Sequence, residues 1–211
     1  MKYKNITEAI GNTPLLKIDE DVHQIKNLNL YVKLEYLNPF GSIKDRIAWS
    51  ILKDDIQNIK EEDKTVVESS SGNTAKAIQA ISSSYDIDFK TITNRIKVDE
   101  VKDLLIALGT DIEELPGKSE CPDPNDPDDP LTYIDNLVKK NKDNYFRTDQ
   151  YVNEKNTEVH KQNTGVEVLE DLKKVDYFFG GLGTTGSTKG ITKALKKENP
   201  ELKTIGVVSS S

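Results

Sequence analysis

The chain has 211 residues, of which 35% are hydrophobic and 31% are charged. This composition is polar, but it supplies enough apolar material for one large domain or two small lobes. Asp and Glu outnumber Lys and Arg by 36 to 29, and the net charge of −7 argues against sequence-independent binding to nucleic acid or to anionic membranes. No apolar run is long enough to span a membrane, and the N-terminus has no signal-peptide pattern. The single cysteine, Cys121, can form neither an internal disulfide nor a paired metal site, so we expect a cytoplasmic protein without a bound metal.

Runs with β-strand character alternate with helical patterns along the chain. Apolar residues recur at period two from Leu28 to Leu34 and predict a strand over 28–35. Further strands are predicted over 65–69, 88–94, 111–115, 175–181 and 202–208, and helices over 41–55, 73–84, 96–109 and 187–198. This alternation indicates an α/β fold in which helices cover both faces of a parallel sheet.

The alternation breaks at residues 117–130, where four prolines interrupt regular structure. The aspartates of this segment suggest a calcium site, but they lack the spacing of an EF-hand loop; they are Asp123, Asp126, Asp128 and Asp129. We interpret the segment as a solvated loop that caps a helix beginning near Leu131. It is also the natural place for the chain to pass from one lobe towards another.

Three polar segments follow predicted strands, at the positions where open α/β sheets bind ligands. The first is residues 41–46 (GSIKDR). A lysine at such a junction reaches into a crevice, where partial desolvation lowers its pKa and makes it an amine nucleophile. A lone lysine is more often a surface residue of a first helical turn, so Lys44 is a candidate only in combination with other features.

The second segment is residues 69–74 (SSSGNT), between the strand over 65–69 and the helix over 73–84. Hydroxyl groups and backbone N–H groups at a helix N-terminus form an anion site suited to a carboxylate. An ordinary serine cap is the alternative, although three serines followed by Gly-Asn exceed what a cap requires.

The third segment is residues 180–187 (GGLGTTGS), which opens the predicted helix over 187–198. Its glycines let the backbone approach a phosphate closely, and its hydroxyls add donors. The spacing also matches a dinucleotide fingerprint, which requires an acidic residue at the end of the next strand. That strand ends in Ser209, Ser210 and Ser211, so a site for a single phosphate fits better.

Together these segments resemble the cysteine synthase family of pyridoxal-phosphate enzymes, whose fold is that of the tryptophan synthase β-subunit. Five motifs occur in the family's order over nearly the whole chain: 10–15 (IGNTPL), 33–46 (KLEYLNPFGSIKDR), 68–74 (ESSSGNT), 104–109 (LLIALG), and 150–153 (QYVN) with His160. The resemblance implies the two-lobed, three-layer αβα fold of type II pyridoxal-phosphate enzymes. It also implies a homodimer that acts on a small amino-acid substrate.

The resemblance implies a role for each matching residue. Lys44 would hold pyridoxal 5'-phosphate as a Schiff base and move the α-proton of the substrate, and Asn73 would bind the 3' oxygen of the cofactor. The 5'-phosphate would be bound by Gly183, Thr184, Thr185, Gly186 and Ser187. The substrate carboxylate would be bound by Ser70, Ser71, Gly72, Asn73, Thr74 and Gln150.

The motifs also distinguish branches of this family. Asp45-Arg46 after the lysine, and the absence of a glycine run at the phosphate loop, favour β-replacement on an activated serine over dehydration. Three positions depart from common sulfhydrylases: Ser69 stands for Pro, Ala75 for Gly and Thr185 for Gly. These departures resemble members that join O-phosphoserine to an amino-acid nucleophile on the way to diaminopropionate, so the nucleophile stays open between sulfide and an amine.

Members of the family are longer than this chain, and their late serine, which contacts the pyridine nitrogen, has no counterpart here. The resemblance therefore divides the chain into a crossover segment (1–35), a small N-terminal lobe (36–145) and an incomplete C-terminal lobe that binds the phosphate (146–211). The chain is either a fragment of a longer enzyme or a shortened homologue. In the second case it could be a catalytically inactive module that binds carboxylates or a partner's peptide tail.

Overall fold

The computed structural model describes residues 2–116, 126 and 128–208. The strands are β1 Leu15–Ile18, β2 Leu30–Lys33, β3 Thr65–Glu68, β4 Phe89–Thr93, β5 Asp111–Glu114, β6 Tyr145–Arg147, β7 Tyr177–Gly181 and β8 Lys203–Val207. The α-helices are α1 Glu20–His23, α2 Lys44–Leu52, α3 Ile56–Glu61, α4 Asn73–Ser84, α5 Asp99–Ala107, α6 Pro130–Lys140, α7 Lys155–Val159, α8 Gly165–Asp171 and α9 Gly186–Glu198. The α/β class predicted from the alternation is confirmed.

The chain divides into two compact units. Unit 1 contains residues 1–46 and 154–211, and unit 2 contains residues 47–153. The predicted lobe boundaries at 35/36 and 145/146 stay a prediction.

Unit 2 is built on a four-stranded parallel sheet in the order β5-β4-β3-β6. Val67 and Ile92 lie on the face covered by α6, where they pack with Ile134. Because side chains alternate along a strand, Val66 points to the opposite face, and it too is fully buried. Burial on both faces is what a parallel sheet requires, and it explains the apolar run at the centre of β3.

Unit 1 contains two separate two-stranded sheets. β7 and β8 are parallel and are connected through α9, whose apolar side packs with Val168 and Leu202. The predicted strand over 28–35 does not begin this parallel arrangement, because β2 instead pairs antiparallel with β1. The prediction failed at this strand because alternation identifies a strand but carries no information about the direction of its partner.

Asp129 caps α6, as predicted, and its carboxylate accepts hydrogen bonds from the backbone N–H groups of Leu131 and Thr132, both at 3.0 Å. Cys121 and the rest of residues 117–125 lie outside the described residues, as do Ser209–Ser211. Within the described ranges, no helix has the length and apolar character needed to cross a membrane. Nor do three or more His, Cys, Asp or Glu side chains of these ranges form a group that could hold a metal ion.

Candidate active site

Lys44 is the first residue of α2, and the turn before it is fixed by a capping arrangement. The Ser42 hydroxyl accepts a hydrogen bond from the Lys44 backbone N–H at 3.2 Å. The Asp45 carboxylate accepts hydrogen bonds from the Phe40 backbone N–H at 2.6 Å and from the Ser42 hydroxyl at 3.3 Å. A serine followed three residues later by an acidic residue is a helix-start signal, and here it holds the backbone from which the Lys44 side chain projects.

The Lys44 ammonium group is half-buried, and no carboxylate among the described residues forms an ion pair with it. Burial lowers its pKa below that of a free lysine. A lower pKa increases the fraction of neutral amine near pH 7, which is the nucleophilic form.

Lys44 and the glycine-rich turn, residues 180–187, lie at one pocket of about 420 Å³ within unit 1. The pocket is lined by Ile43, Lys44, Gly181, Leu182, Gly183, Thr184, Ser187 and Val207. Of the five residues predicted to bind phosphate, Gly183, Thr184 and Ser187 line the pocket, whereas Thr185 and Gly186 do not. The fold thus joins a lysine and a glycine-rich turn that are about 140 positions apart in the sequence.

The glycine-rich turn connects β7 to the start of α9, a helix of 13 residues. Apart from Gly183 and its two chain neighbours, no atom of the described residues lies within 4 Å of where a Cβ would stand on Gly183, so the backbone there is open to a ligand. At Gly186 a Cβ would lie 2.1 Å from Asn156 Oδ1, so this glycine is required for packing. Thr185 has a left-handed backbone, with φ +64, which is rare for a β-branched residue.

Asn156 is a residue of this site to which the sequence analysis assigned no role. Its side-chain NH₂ donates a hydrogen bond to the Thr184 hydroxyl at 3.0 Å, so the loop is held from α7 as well as from its own ends. The signal was present, because Asn156 lies three residues after Asn153, within the segment that ends at His160.

The side of α9 that carries Gly186 also packs against His160. A Cβ on Gly190 would lie 2.3 Å from the Thr157 carbonyl oxygen and 2.7 Å from His160 Cβ. His160 is fully buried at the start of a π-helical segment, His160–Thr164, with Nδ1 2.9 Å from the Thr164 hydroxyl. Burial, together with the charge of Arg46, lowers the pKa of His160 to about 3, so the ring is neutral and acts as a packing element.

A buried ionic network lies at the beginning of α2. The Arg46 guanidinium is 2% exposed and donates hydrogen bonds to both oxygens of Glu35 and of Glu167. Lys33 pairs with Glu167 at 2.7 Å. Although burial raises the pKa of Glu167, the hydrogen bonds from Arg46 and Lys33 lower it to about 2. The network balances two cations against two carboxylates, and it anchors the helix turn that presents Lys44.

The serine-rich turn of unit 2, residues 69–74, is organised around Ser70. The Ser70 hydroxyl accepts hydrogen bonds from the N–H groups of Gly72 and Ala75 at 3.4 and 3.1 Å. Gln150, for which a role in binding the substrate carboxylate was predicted, lies beside this turn. Its side-chain carbonyl accepts a hydrogen bond from the Thr74 hydroxyl at 2.8 Å, and its NH₂ donates to the Ser69 carbonyl at 3.2 Å. Ser71 and Asn73 are exposed and accessible to a ligand, and Gly72 is half-buried.

A pocket that combines an amine with a glycine-rich helix start is a means of holding an aldehyde that bears a phosphate. The family model for pyridoxal-phosphate dependent enzymes matches residues 6–211. The chain belongs to this family. It is 34% identical to cysteine synthase of Staphylococcus aureus, over 96% of this chain and 64% of the relative.

Solved structures of family members show the same fold. A hydrogen sulfide-producing enzyme of Fusobacterium nucleatum matches with a TM-score of 0.81 and 32% identity, over 98% of this chain and 65% of that one. O-ureido-L-serine synthase matches with a TM-score of 0.82 and 27% identity, over 98% and 63%. The chain therefore spans a little under two thirds of the length of these relatives.

The residues at the pocket fit pyridoxal 5'-phosphate, the cofactor of the family. Its aldehyde requires an amine that is not held in an ion pair, and Lys44 meets this condition. Its phosphate requires backbone N–H groups and hydroxyls at a helix start, and the open backbone at Gly183, with Thr184 and Ser187, supplies them.

Proposed function

We propose that the protein is a PLP-dependent enzyme of the cysteine synthase type, which replaces the leaving group of an activated serine, either O-acetylserine or O-phosphoserine. The observation that carries this proposal is the pocket of unit 1. The partly desolvated Lys44 and the glycine-rich turn line this one pocket, which has a volume of about 420 Å³.

In this proposal the chain's own residues divide the work. Lys44 Nζ holds the cofactor covalently and afterwards carries the proton that leaves the α-carbon of the substrate. Thr184, Ser187 and the backbone around Gly183 hold the phosphate, with Thr184 oriented by Asn156. When bound, pyridoxal phosphate supplies an electron sink for the bond that is broken at the α-carbon.

The serine-rich turn would bind the α-carboxylate of the amino acid. The N–H groups at the start of α4 point out of the helix, and a helix of 12 residues favours an anion at this end. The exposed side chains of Ser71 and Asn73 add donors, and Gln150 supports the turn through Thr74 and Ser69. We also propose that Asn73 contacts the 3' oxygen of the cofactor and that the protein forms a homodimer.

The proposal is tested by adding pyridoxal phosphate to the purified protein and recording its visible absorbance. We expect a band that develops in the wild type and in Lys53→Ala, which removes an exposed lysine of the same helix region, but not in Lys44→Ala. Far-ultraviolet circular dichroism should be the same in all three. A band of equal strength in Lys44→Ala would contradict the assignment of Lys44.

A second candidate concerns the nucleophile. Thr185, Ser69 and Ala75 depart from the common sulfhydrylase pattern, and O-ureido-L-serine synthase is among the matching structures. The three departures favour an amine over sulfide, whereas the product of O-ureido-L-serine synthase is linked through oxygen and supports only a nucleophile other than sulfide. Product analysis with O-phosphoserine and either sulfide or an amino acid distinguishes the two.

A third candidate is a module that binds carboxylates or a peptide tail without turnover. Gln150 forms hydrogen bonds with the serine-rich turn entirely within unit 2. These contacts support a binding site that does not depend on the pocket of unit 1. Binding of a peptide carboxylate by a protein that develops no visible band with pyridoxal phosphate would favour this candidate over the enzyme.

A further inference from the structure

Glu68 is a buried carboxyl group directly behind the serine-rich turn, and none of the roles above uses it. It is the last residue of β3 and is 1% exposed. One oxygen, Oε1, accepts a hydrogen bond from the Ser69 N–H at 2.8 Å. The other, Oε2, accepts from the Thr148 hydroxyl at 2.6 Å and from the Gln150 N–H at 3.0 Å.

These bonds tie together two segments about 80 positions apart in the sequence. The Ser69 bond fixes the first peptide of the serine-rich turn, and the Gln150 bond fixes the backbone of the residue whose side chain contacts Thr74 and Ser69. Removing Glu68 would therefore loosen the turn and its support together. A buried carboxyl that holds two parts of one site acts as a positioning group.

The charge of Glu68 is not balanced by a cation. No Lys or Arg of the described residues pairs with it. Arg147, on the neighbouring strand β6, pairs instead with Asp149 at 3.1 Å and with Asp135. Among the described residues, the Asp149 carboxylate and the Tyr151 phenol interact electrostatically with Glu68. Burial, reinforced by the negative charge of Asp149, raises the pKa of Glu68 to about 7 against its hydrogen bonds.

We propose that Glu68 is the positioning residue of the serine-rich turn and that it takes up a proton from solvent when an amino-acid carboxylate binds there. The inference rests on the proposed carboxylate site. Two negative charges close together in a site of low dielectric constant disfavour each other strongly, so the second carboxylate displaces the equilibrium towards neutral Glu68. The proton is carried by Oε1, because Oε2 already accepts two hydrogen bonds and retains the carbonyl character.

The test is calorimetric titration of the pyridoxal phosphate-loaded protein with L-serine, in pairs of buffers with different heats of ionisation. We expect uptake of close to one proton per bound serine at pH 8 and little at pH 6, in excess of the uptake by Glu68→Gln. The dissociation constant should rise by up to about tenfold from pH 6 to pH 8, since a group with a pKa of about 7 is mostly protonated at the first pH and mostly ionised at the second. Glu62→Gln, which changes an exposed glutamate, should behave as the wild type.

Asp149→Asn is a second variant that leaves Glu68 in place. Asp149 has φ +50, a conformation that asparagine tolerates well. Asp149→Asn removes a negative charge beside Glu68. The midpoint of the pH dependence of the serine dissociation constant should therefore move to lower pH.

The outcomes separate the inference from the function on which it rests. Serine binding with the same proton uptake in the wild type and in Glu68→Gln would overturn the inference and leave the carboxylate site standing. If Glu68→Gln does not fold, wild-type binding without proton uptake, or an unchanged midpoint in Asp149→Asn, overturns it equally. Absence of serine binding by the wild type at every pH would overturn the proposed carboxylate site together with the inference.

Discussion

Thr185 has a left-handed backbone conformation. Glycine, which has no Cβ, would adopt this conformation without strain. This conformation costs a residue with a Cβ about 1–2 kcal/mol, whereas the extra unfolded-state entropy of glycine costs up to about 1 kcal/mol. Thr185→Gly should therefore raise the free energy of unfolding, by up to about 1 kcal/mol. Urea denaturation measures this, and Thr184→Gly, which loses the Asn156 hydrogen bond, should change it in the opposite direction. A less stable Thr185→Gly would show that the threonine side chain makes a stabilising contact.

His160 is the second residue whose environment has a measurable consequence. It stays neutral in the folded protein, with a pKa of about 3, but binds a proton in the unfolded chain below about pH 6.5. Stability from this group is thus present above pH 6.5 and is lost as the pH falls towards 3, by up to about 1.4 kcal/mol per pH unit.

Glu68 obscures this effect in the wild type, because its raised pKa gives a slope of opposite sign between about pH 4.5 and 7. We therefore compare the wild type with His160→Gln, in which the Glu68 contribution cancels. The stability difference, wild type minus variant, should decrease as the pH falls from 6.5 to 5. A difference that does not depend on pH in thermal unfolding would mean that His160 is charged in the folded state.

At the scale of elements, the packing of α9 against α7 sets the position of the glycine-rich turn. Gly186→Ala would place a methyl group 2.1 Å from Asn156 Oδ1, which forces the buried Asn156 side chain or the helix to move and costs about 1–3 kcal/mol. Gly183→Ala is the matched control, because that position is open. We expect Gly186→Ala to lose stability and Gly183→Ala to keep it, as measured by thermal unfolding. Equal melting temperatures would contradict the close contact.

The elements also show what sequence patterns can and cannot predict. The helix over 73–84 was predicted with the bounds that α4 has, because its apolar spacing and its start signal agree. The segment from α7 to α8 was not predicted. Its buried side carries Asn156, His160, Thr164 and Gly165, so the face is helical in spacing but not hydrophobic, and a search for apolar periodicity does not detect it.

The candidate site also combines features that sequence patterns predict with features that they do not. Lys44, the serine-rich turn and the glycine-rich turn each follow a strand and could be found from local patterns. Glu167, which pairs with Arg46, and Asn156, which holds Thr184, act across 121 and 28 positions of sequence. Such partners are fixed by tertiary packing, which a single sequence does not specify.

At the scale of the whole molecule, the sheet of β7 and β8 exposes an apolar face. Phe179 is 60% exposed, Ile205 37% and Val207 51%, and β8 pairs only with β7 in the described part of the chain. An unpaired edge beside exposed apolar side chains promotes association. We expect the 211-residue chain to self-associate with rising concentration and Phe179→Lys/Ile205→Lys to do so less. Val22→Lys, at another exposed position, serves as the control. Light scattering that shows the same mass at all concentrations would contradict this expectation.

Lys44 is the residue that we propose to bind pyridoxal phosphate covalently. The most direct measurement is borohydride reduction of the protein with pyridoxal phosphate, followed by proteolysis and mass spectrometry of the labelled peptides. We expect a phosphopyridoxyl group on Lys44 at close to one per chain, with the exposed lysines unlabelled at the same cofactor concentration. A folded protein labelled at another lysine, or evenly across its surface lysines, would contradict it.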